Sequence, residues 1–138
     1  MIKKIEHIGI AVKEINQAIH AFRDILGIPL GRAYESEYTK AKMAFFPLGE
    51  SSIELIQPTD PSSVMAKFLE RKGEGIHHIC VGVDNIEETM RLLQARGAEL
   101  IDKKPRTTQD QRRIAFLNPK STNGVLIELE EIAEGKRE

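Results

Sequence analysis

The sequence is poor in several residue types, and each shortage excludes a class of protein. Cys80 is the only cysteine among 138 residues, so an intrachain disulfide is impossible and a reducing cytoplasm is expected. Tryptophan is absent, and few aromatic residues interleave with the short basic segments at 103–106 and 112–113. No apolar stretch approaches the roughly 18 residues that span a membrane, and residues 1–6 contain no signal-peptide core. We therefore expect a cytoplasmic protein with no membrane or nucleic-acid partner.

The chain has an ordinary globular composition and one internal repeat. Its 41% hydrophobic and 30% charged residues fit one domain, or two small modules that share a core. A histidine opens an alternating apolar run twice, at His7 and His78, and a glutamate inside another apolar run follows each, at Glu54 and Glu128. The two spacings are 47 residues (54 − 7) and 50 residues (128 − 78), a difference that one loop can absorb. The repeat indicates a duplicated unit.

Periodicity predicts the element order β-α-β-β-β in both halves, and hence an α+β fold. Gly49-Glu50 is typical of a hairpin turn, and Gly27 and Gly97 are typical helix stops. The predicted strands cover 5–12, 30–38, 42–48, 51–57, 76–83, 99–102, 113–117 and 125–129, and the predicted helices cover 15–26 and 86–96.

Between the halves, a short helix capped by Ser62 or Ser63 is predicted to act as a linker. We therefore expect one domain made of module 1 (1–59), a linker helix (60–74) and module 2 (75–138). Residues 134–138 are polar and are expected to be frayed.

Pseudo-twofold symmetry between the modules would bring the repeated residues into one metal site. Imidazole with carboxylate suits Zn²⁺, Co²⁺, Ni²⁺, Fe²⁺ or Mn²⁺, and the ligand types alone do not choose among these ions. A single histidine or glutamate of this kind is more often a structural or exposed residue, but repetition at matched positions favours a metal. The predicted ligands are His7, Glu54, His78 and Glu128.

Three other reactive residues are not predicted to be metal ligands. His77 lies on the opposite strand face from His78, because successive side chains of a strand alternate, so we expect it to support the ligands from outside the site or to be structural. His20 falls within the first helix, where a surface position is favoured. Cys80 is expected to be a small core residue, because no charged partner lies near it in sequence.

Four segments, 6–12, 53–58, 67–79 and 115–129, resemble the vicinal oxygen chelate (glyoxalase/bleomycin resistance/dioxygenase) superfamily. Within it, the chain is most similar to the methylmalonyl-CoA epimerases. The resemblance implies two tandem βαβββ modules that form a glyoxalase-like half-barrel around a metal site, usually in a homodimer. It also implies one divalent metal ion per chain, Zn, Co, Ni or Mn, and the same four ligands, His7, Glu54, His78 and Glu128.

The resemblance implies epimerisation of a 2-substituted malonyl-CoA thioester. The metal would stabilise the enolate that forms when the α-proton leaves, and Glu128 would act as the acid/base on one face. Many epimerases place a second glutamate where our alignment puts Lys42, so Lys42 is the second catalytic candidate, against the alternative of a solvated lysine. Arg112 or Arg113 is a candidate for binding the substrate's carboxylate or phosphates, with a surface ion pair as the alternative.

Two other functions remain open at this point. A glyoxalase I-type lactoylglutathione lyase uses the same fold, a similar metal site and similar proton abstraction. Some relatives with this architecture instead bind small molecules without a metal, as resistance proteins do, although they have generally lost the ligands.

Overall fold

The computed structural model describes residues 1–133, which contain eight β-strands and three α-helices. The predicted fraying of 134–138 lies outside the described residues. In chain order the elements are β1 (Ile2–Ala11), α1 (Ile15–Ile19), β2 (Arg32–Ser36), β3 (Ala41–Leu48), β4 (Ser51–Pro58), α2 (Val64–Lys72), β5 (Gly75–Val83), α3 (Ile86–Ala95), β6 (Arg106–Thr107), β7 (Arg113–Phe116) and β8 (Ile127–Glu131). A π-helix, His20–Ile25, continues α1, and a 3₁₀-helix, Pro119–Thr122, precedes β8.

The chain divides into two compact units with the same internal topology. The first unit is His7–His77, and the second unit combines Met1–Glu6 with the chain from His78 onward. In the first unit the strand order is β2-β3-β4-β1, and in the second it is β6-β7-β8-β5. In both, the first and last strands of the module are parallel and the other neighbours are antiparallel. The predicted repetition of β-α-β-β-β is confirmed.

Residues 1–6 join the second unit because β1 begins earlier than the predicted start at residue 5. The strand starts at Ile2, and the Asp84 N–H donates a hydrogen bond to the Met1 carbonyl at 3.3 Å. Gly82 permits close packing here, since a Cβ at that position would lie 3.3 Å from Lys4 Cγ. Because Lys3 and Lys4 are both polar, this part of the strand lacks the apolar–polar alternation from which strands are predicted.

Each unit packs its main helix on one face of its strands. In the first unit Ile15 and Ile19 pack with Phe46 and Leu55, and in the second Ile86 and other residues of α3 pack with β5 and β8. Because strand side chains alternate, the residues next to these core positions point to the other face. Each unit therefore presents a second sheet face, which carries the repeated histidine and glutamate.

The predicted helix over 15–26 is present but changes its winding at His20. The π-helix shifts the following residues off the apolar face, so Ile25 and Leu26 are 71% and 61% exposed instead of joining the core. Gly27 ends the segment with φ of 77°, as predicted.

The predicted strand over 99–102 was wrong. Only Leu100 forms a bridge there, to Leu117, and the third strand of the module is β6, at Arg106–Thr107. The Phe116 N–H donates to the Asp102 carboxylate at 2.8 Å, so a side chain takes a bond that a longer strand ladder would make.

The predicted hairpin turn and the predicted short helix are both present, and the helix, α2, lies inside the first compact unit. Gly49-Glu50 connects β3 and β4, which pair from Leu48 and Ser51 onward. Ser63, not Ser62, caps α2, because its hydroxyl accepts from Ala66 N at 3.1 Å. Within residues 1–133, none of the helices has the length and apolar character needed to cross a membrane.

Candidate active site

In the first unit, strand register brings His7 and Glu54 together. Glu54 on β4 lies opposite Gly9, two residues beyond His7 on the parallel strand β1, so both side chains share one face. His7 Nε2 lies 3.8 Å from Glu54 Oε1, and the residues are only 4% and 6% exposed. Two residues 47 positions apart in sequence (54 − 7) therefore form a buried imidazole–carboxylate pair.

The second unit repeats this arrangement with His78 and Glu128. Glu128 on β8 lies opposite Cys80, two residues beyond His78 on the parallel strand β5. His78 Nε2 lies 3.2 Å from Glu128 Oε1, and both residues are buried. The Phe116 ring meets the His78 ring edge-to-face, with centroids 6.1 Å apart. The repeat seen in the sequence is thus also a repeat of strand register.

This donor chemistry fits a divalent metal. Burying a carboxylate is costly unless it is paired, hydrogen-bonded or bound to a cation, and each unit buries one beside an imidazole nitrogen. His7, Glu54 and His78 are possible metal-binding residues, and Glu128 offers the same kind of oxygen. Each unit thus supplies one nitrogen and one carboxylate donor.

Arg112 lies beside Glu130, two residues beyond Glu128 on β8. Its Nη1 is 3.0 Å from Glu130 Oε1, and its Nε is 3.1 Å from the Asp110 carboxylate. Burial acts to lower the pKa of Arg112, but the negative charges of Glu130, Asp110 and Glu128 outweigh it and hold the pKa above its ordinary value. The guanidinium charge is therefore already balanced by carboxylates, and its role in substrate binding stays a prediction.

Arg113 points to the other face of β7. Its Nη2 is 2.8 Å from Glu87 Oε2 on α3, and its Nη1 is 3.3 Å from Glu131 Oε1. This geometry matches the surface ion pair that the sequence left as the alternative.

Lys42 does not lie on the face of Glu54. Phe45 is directly opposite Glu54, and Lys42 is three residues before Phe45 in an unbroken register, so it points the other way. Lys42 lies opposite Gln57 on β4 and Glu35 on β2. The residues of β3 on the Glu54 face are Ala41, Met43, Phe45 and Pro47, none of which titrates.

The structure gives each of the three remaining reactive residues a defined contact. His77 packs against Phe68 of α2, with ring centroids 4.8 Å apart in an edge-to-face arrangement. His20 is exposed, and its Nδ1 lies 2.9 Å from Asp24 Oδ2. Cys80 is fully buried. Its Sγ lies 3.8 Å from Glu130 Oε1, a charged neighbour that is far from Cys80 in sequence.

Sequence reasoning missed an arginine–phenylalanine pair in each unit. Arg32 lies over the Phe45 ring, which is opposite Glu54, and Arg106 lies over the Phe116 ring, which is opposite Glu128. Each arginine precedes the glutamate of its module by 22 residues (54 − 32 and 128 − 106). This equal spacing was the signal that could have identified them.

Known proteins resemble this chain along most of its length. Residues 6–116 match the model of the Glyoxalase/Bleomycin resistance protein/Dioxygenase superfamily. The uncharacterised protein YqjC of Bacillus subtilis is 38% identical, over 91% of this chain and 90% of its own. An ethylmalonyl-CoA/methylmalonyl-CoA epimerase of Cereibacter sphaeroides is 33% identical, over 96% of this chain and 100% of its own.

A solved structure also resembles the fold of this chain. The crystal structure of methylmalonyl-CoA epimerase from Mycobacterium tuberculosis matches with a TM-score of 0.85 and 34% identity, over 96% of this chain and 89% of that one. The predicted α+β, glyoxalase-like fold is thereby confirmed. The chain belongs to the glyoxalase/bleomycin resistance protein/dioxygenase superfamily.

Proposed function

We propose that this protein is a metal-dependent epimerase of a 2-substituted malonyl-CoA thioester. The observation that carries the proposal is the buried histidine–glutamate pair, which recurs at equivalent register in the two units. The epimerase names of two relatives that match nearly the whole chain support the choice of reaction.

In this proposal His7, Glu54, His78 and Glu128 together hold one divalent ion, Zn, Co, Ni or Mn. When bound, such an ion supplies positive charge that stabilises negative charge on the substrate's oxygens and so acidifies the α-carbon. The two imidazoles are neutral donors, and the two carboxylates offset the ion's charge.

Glu128 is the proposed acid/base on one face of the substrate. A carboxylate can accept the α-proton and return it, and the Glu128 carboxylate lies 3.2 Å from His78 Nε2. Inversion needs a second group to deliver a proton to the other face. Lys42 points away and β3 offers no titratable residue on the relevant face, so we assign this role to Glu54, the register-equivalent carboxylate of the first unit.

Deuterium exchange tests the proposal. The metal-loaded protein is incubated in D₂O with one pure epimer of methylmalonyl-CoA, and products are analysed by NMR and by chiral separation. We expect a mixture of the two epimers with one deuterium incorporated at the α-carbon. Glu54→Gln and Glu128→Gln keep an oxygen donor but lose the proton acceptor, so each is expected to exchange at most one epimer without inverting it.

A parallel incubation with methylglyoxal and glutathione decides between the two enzymatic candidates. Thioester formation there, with no exchange of methylmalonyl-CoA, would replace epimerisation by the lactoylglutathione lyase reaction. Inactivity on both substrates, in a protein that purifies without metal, would favour the small-molecule-binding module.

We also propose that the enzyme is a cytoplasmic homodimer. Both statements derive from the sequence and its resemblance to the family. Size-exclusion chromatography with light scattering at several protein concentrations tests the dimer, and a monomer at all of them would contradict it.

A further inference from the structure

In the first unit a guanidinium lies over two neighbouring aromatic rings on the face that carries Glu54. Arg32 Cζ lies 4.8 Å from the Phe45 ring centroid and 5.0 Å from the Tyr34 ring centroid. The two rings stack at 5.9 Å with an interplanar angle of 15°. Register fixes the shared face, because Arg32 lies opposite Phe45 and Phe45 lies opposite Glu54. The rings thus hold the arginine in a defined position.

The second unit has the corresponding arginine, but a carboxylate neutralises it. Arg106 Cζ lies 5.7 Å from the Phe116 ring, and Arg106 Nε lies 2.8 Å from Asp102 Oδ1. Asp102 is itself held in place, since it accepts the Phe116 N–H. The positive charge of Arg106 is therefore matched within its own unit.

Arg32 differs from Arg106 in this respect. Within residues 1–133, no carboxylate forms an ion pair with Arg32, and its side chain is exposed. A planar guanidinium that stacks on rings keeps its N–H donors available at its edge, in a geometry that suits phosphate or carboxylate. The repeat thus leaves one of its two arginines available for an external anion.

Strand spacing gives the separation between the Arg32 and Glu54 backbones. Neighbouring strands lie about 4.8 Å apart, and Arg32 is two strands from Glu54, so their backbones are separated by roughly 10 Å. A group bound by a metal at Glu54 lies within about 2–3 Å of the carboxylate oxygens. The Arg32 backbone therefore lies two strands from the proposed metal position on the same sheet face, and we take its anion to be a charged group of the thiol carrier.

We propose that Arg32, held by Tyr34 and Phe45, binds a phosphate of the coenzyme A portion of the substrate. This inference depends on the proposed function, because it takes the reacting end of the thioester to be at Glu54. Arg32 is a binding residue that sets specificity for the carrier, and it takes no part in proton transfer. Under the lyase alternative, the corresponding distal anion would be a carboxylate of glutathione.

Steady-state kinetics of Arg32→Gln with matched substrates test the assignment. Methylmalonyl-CoA, its dephospho-CoA analogue and methylmalonyl-pantetheine share the reacting group but carry all, some and none of the carrier phosphates. We expect Arg32→Gln to raise KM for the CoA ester about 10- to 100-fold, as loss of a charged hydrogen bond does. With the pantetheine ester, kcat and KM should match those of the wild type.

Arg106→Gln is the matched control, because it removes the corresponding arginine, whose charge Asp102 already balances. It should leave KM for the CoA ester unchanged within about twofold. Arg32→Lys keeps the charge but loses the planar fork, so it should restore only part of the affinity. Comparison of the dephospho-CoA ester with the full ester tells whether the 3′-phosphate or the diphosphate is bound.

The outcomes separate this inference from the proposed function. An active Arg32→Gln enzyme with wild-type KM for methylmalonyl-CoA overturns the inference and leaves epimerisation intact. Should the wild type epimerise none of the esters, calorimetric titration with coenzyme A alone replaces the kinetics. Weaker binding by Arg32→Gln than by Arg106→Gln would then support phosphate binding, and equal or absent binding would overturn it.

Discussion

At the residue scale, strand alternation gives two adjacent histidines different surroundings and different proposed roles. His77 packs edge-to-face on Phe68, whereas His78 turns to the opposite face and lies 3.2 Å from Glu128. A shift of one residue in register would exchange these roles, because neighbouring strand residues point to opposite faces. The assignment of the metal ligands therefore depends on register and can be tested one residue at a time.

His78→Ala and Glu128→Ala are each expected to lose the metal, because each removes one of the proposed donor atoms. His77→Ala is expected to retain one ion per chain, since its ring packs on Phe68. Metal content after dialysis, measured by inductively coupled plasma mass spectrometry, gives the answer. Loss of metal from His77→Ala, together with retention by His78→Ala, would show that the ligand register is displaced by one residue.

Lys42 provides a second test at this scale. Because Lys42 lies on the opposite sheet face from Glu54, Lys42→Met should change kcat/KM for methylmalonyl-CoA by no more than about twofold, as substitutions away from a reacting site do. Glu54→Gln is the comparison variant and should abolish inversion. A large loss of kcat in a folded Lys42→Met protein would restore Lys42 as the second base and remove that role from Glu54.

At the scale of elements, Arg113 ties strand β7 to helix α3 through Glu87. The hydrogen bond from Arg113 holds the pKa of Glu87 below its ordinary value of 4.5. A depressed carboxyl pKa stabilises the folded state above the unfolded pKa, and this contribution is lost as pH falls through the folded value. Because water screens this exposed pair, its contribution to the free energy of unfolding is small.

An NMR titration of the Glu87 carboxyl checks this contact directly. We expect its midpoint below 4.5 in the wild type and a return toward the ordinary value in Arg113→Gln. Arg112→Gln is the control, because Arg112 pairs with Asp110 and Glu130 instead. A Glu87 midpoint that does not respond to Arg113→Gln would show that the ion pair is not formed in solution.

At the scale of the whole molecule, the proposed ligands come from both units, so metal binding should stabilise the folded chain. A ligand present at 100 times its Kd adds about 2.7 kcal/mol to the free energy of unfolding, which corresponds to roughly 10 °C in Tm for a chain of this size. Thermal unfolding before and after chelation, followed by readdition of Zn²⁺ or Co²⁺, measures the shift. His78→Ala should not respond, and an equal response in that variant would contradict the four-residue site.

Much of the architecture could be predicted from local pattern. Alternation and helical spacing located both βαβββ modules, and the doubled His and Glu identified two pairs that the structure brings to 3.8 and 3.2 Å. The prediction of a strand over 99–102 was wrong because the Asp102 side chain accepts a backbone N–H. Periodicity does not reveal such a contact. The exposure of Ile25 and Leu26 was missed for a similar reason, since winding at His20 depends on packing.

By itself, the sequence determined the repeat, the element order and the placing of His77 and His78 on opposite strand faces, because alternation within a strand follows from local backbone geometry. The tertiary structure alone decided which residues share a face across strands. Register turned Lys42 away from Glu54, placed Arg32 over Phe45 and Tyr34, and joined Arg112 to Glu130. These relations depend on the pairing of distant segments, and pairing is set by the burial of the whole core.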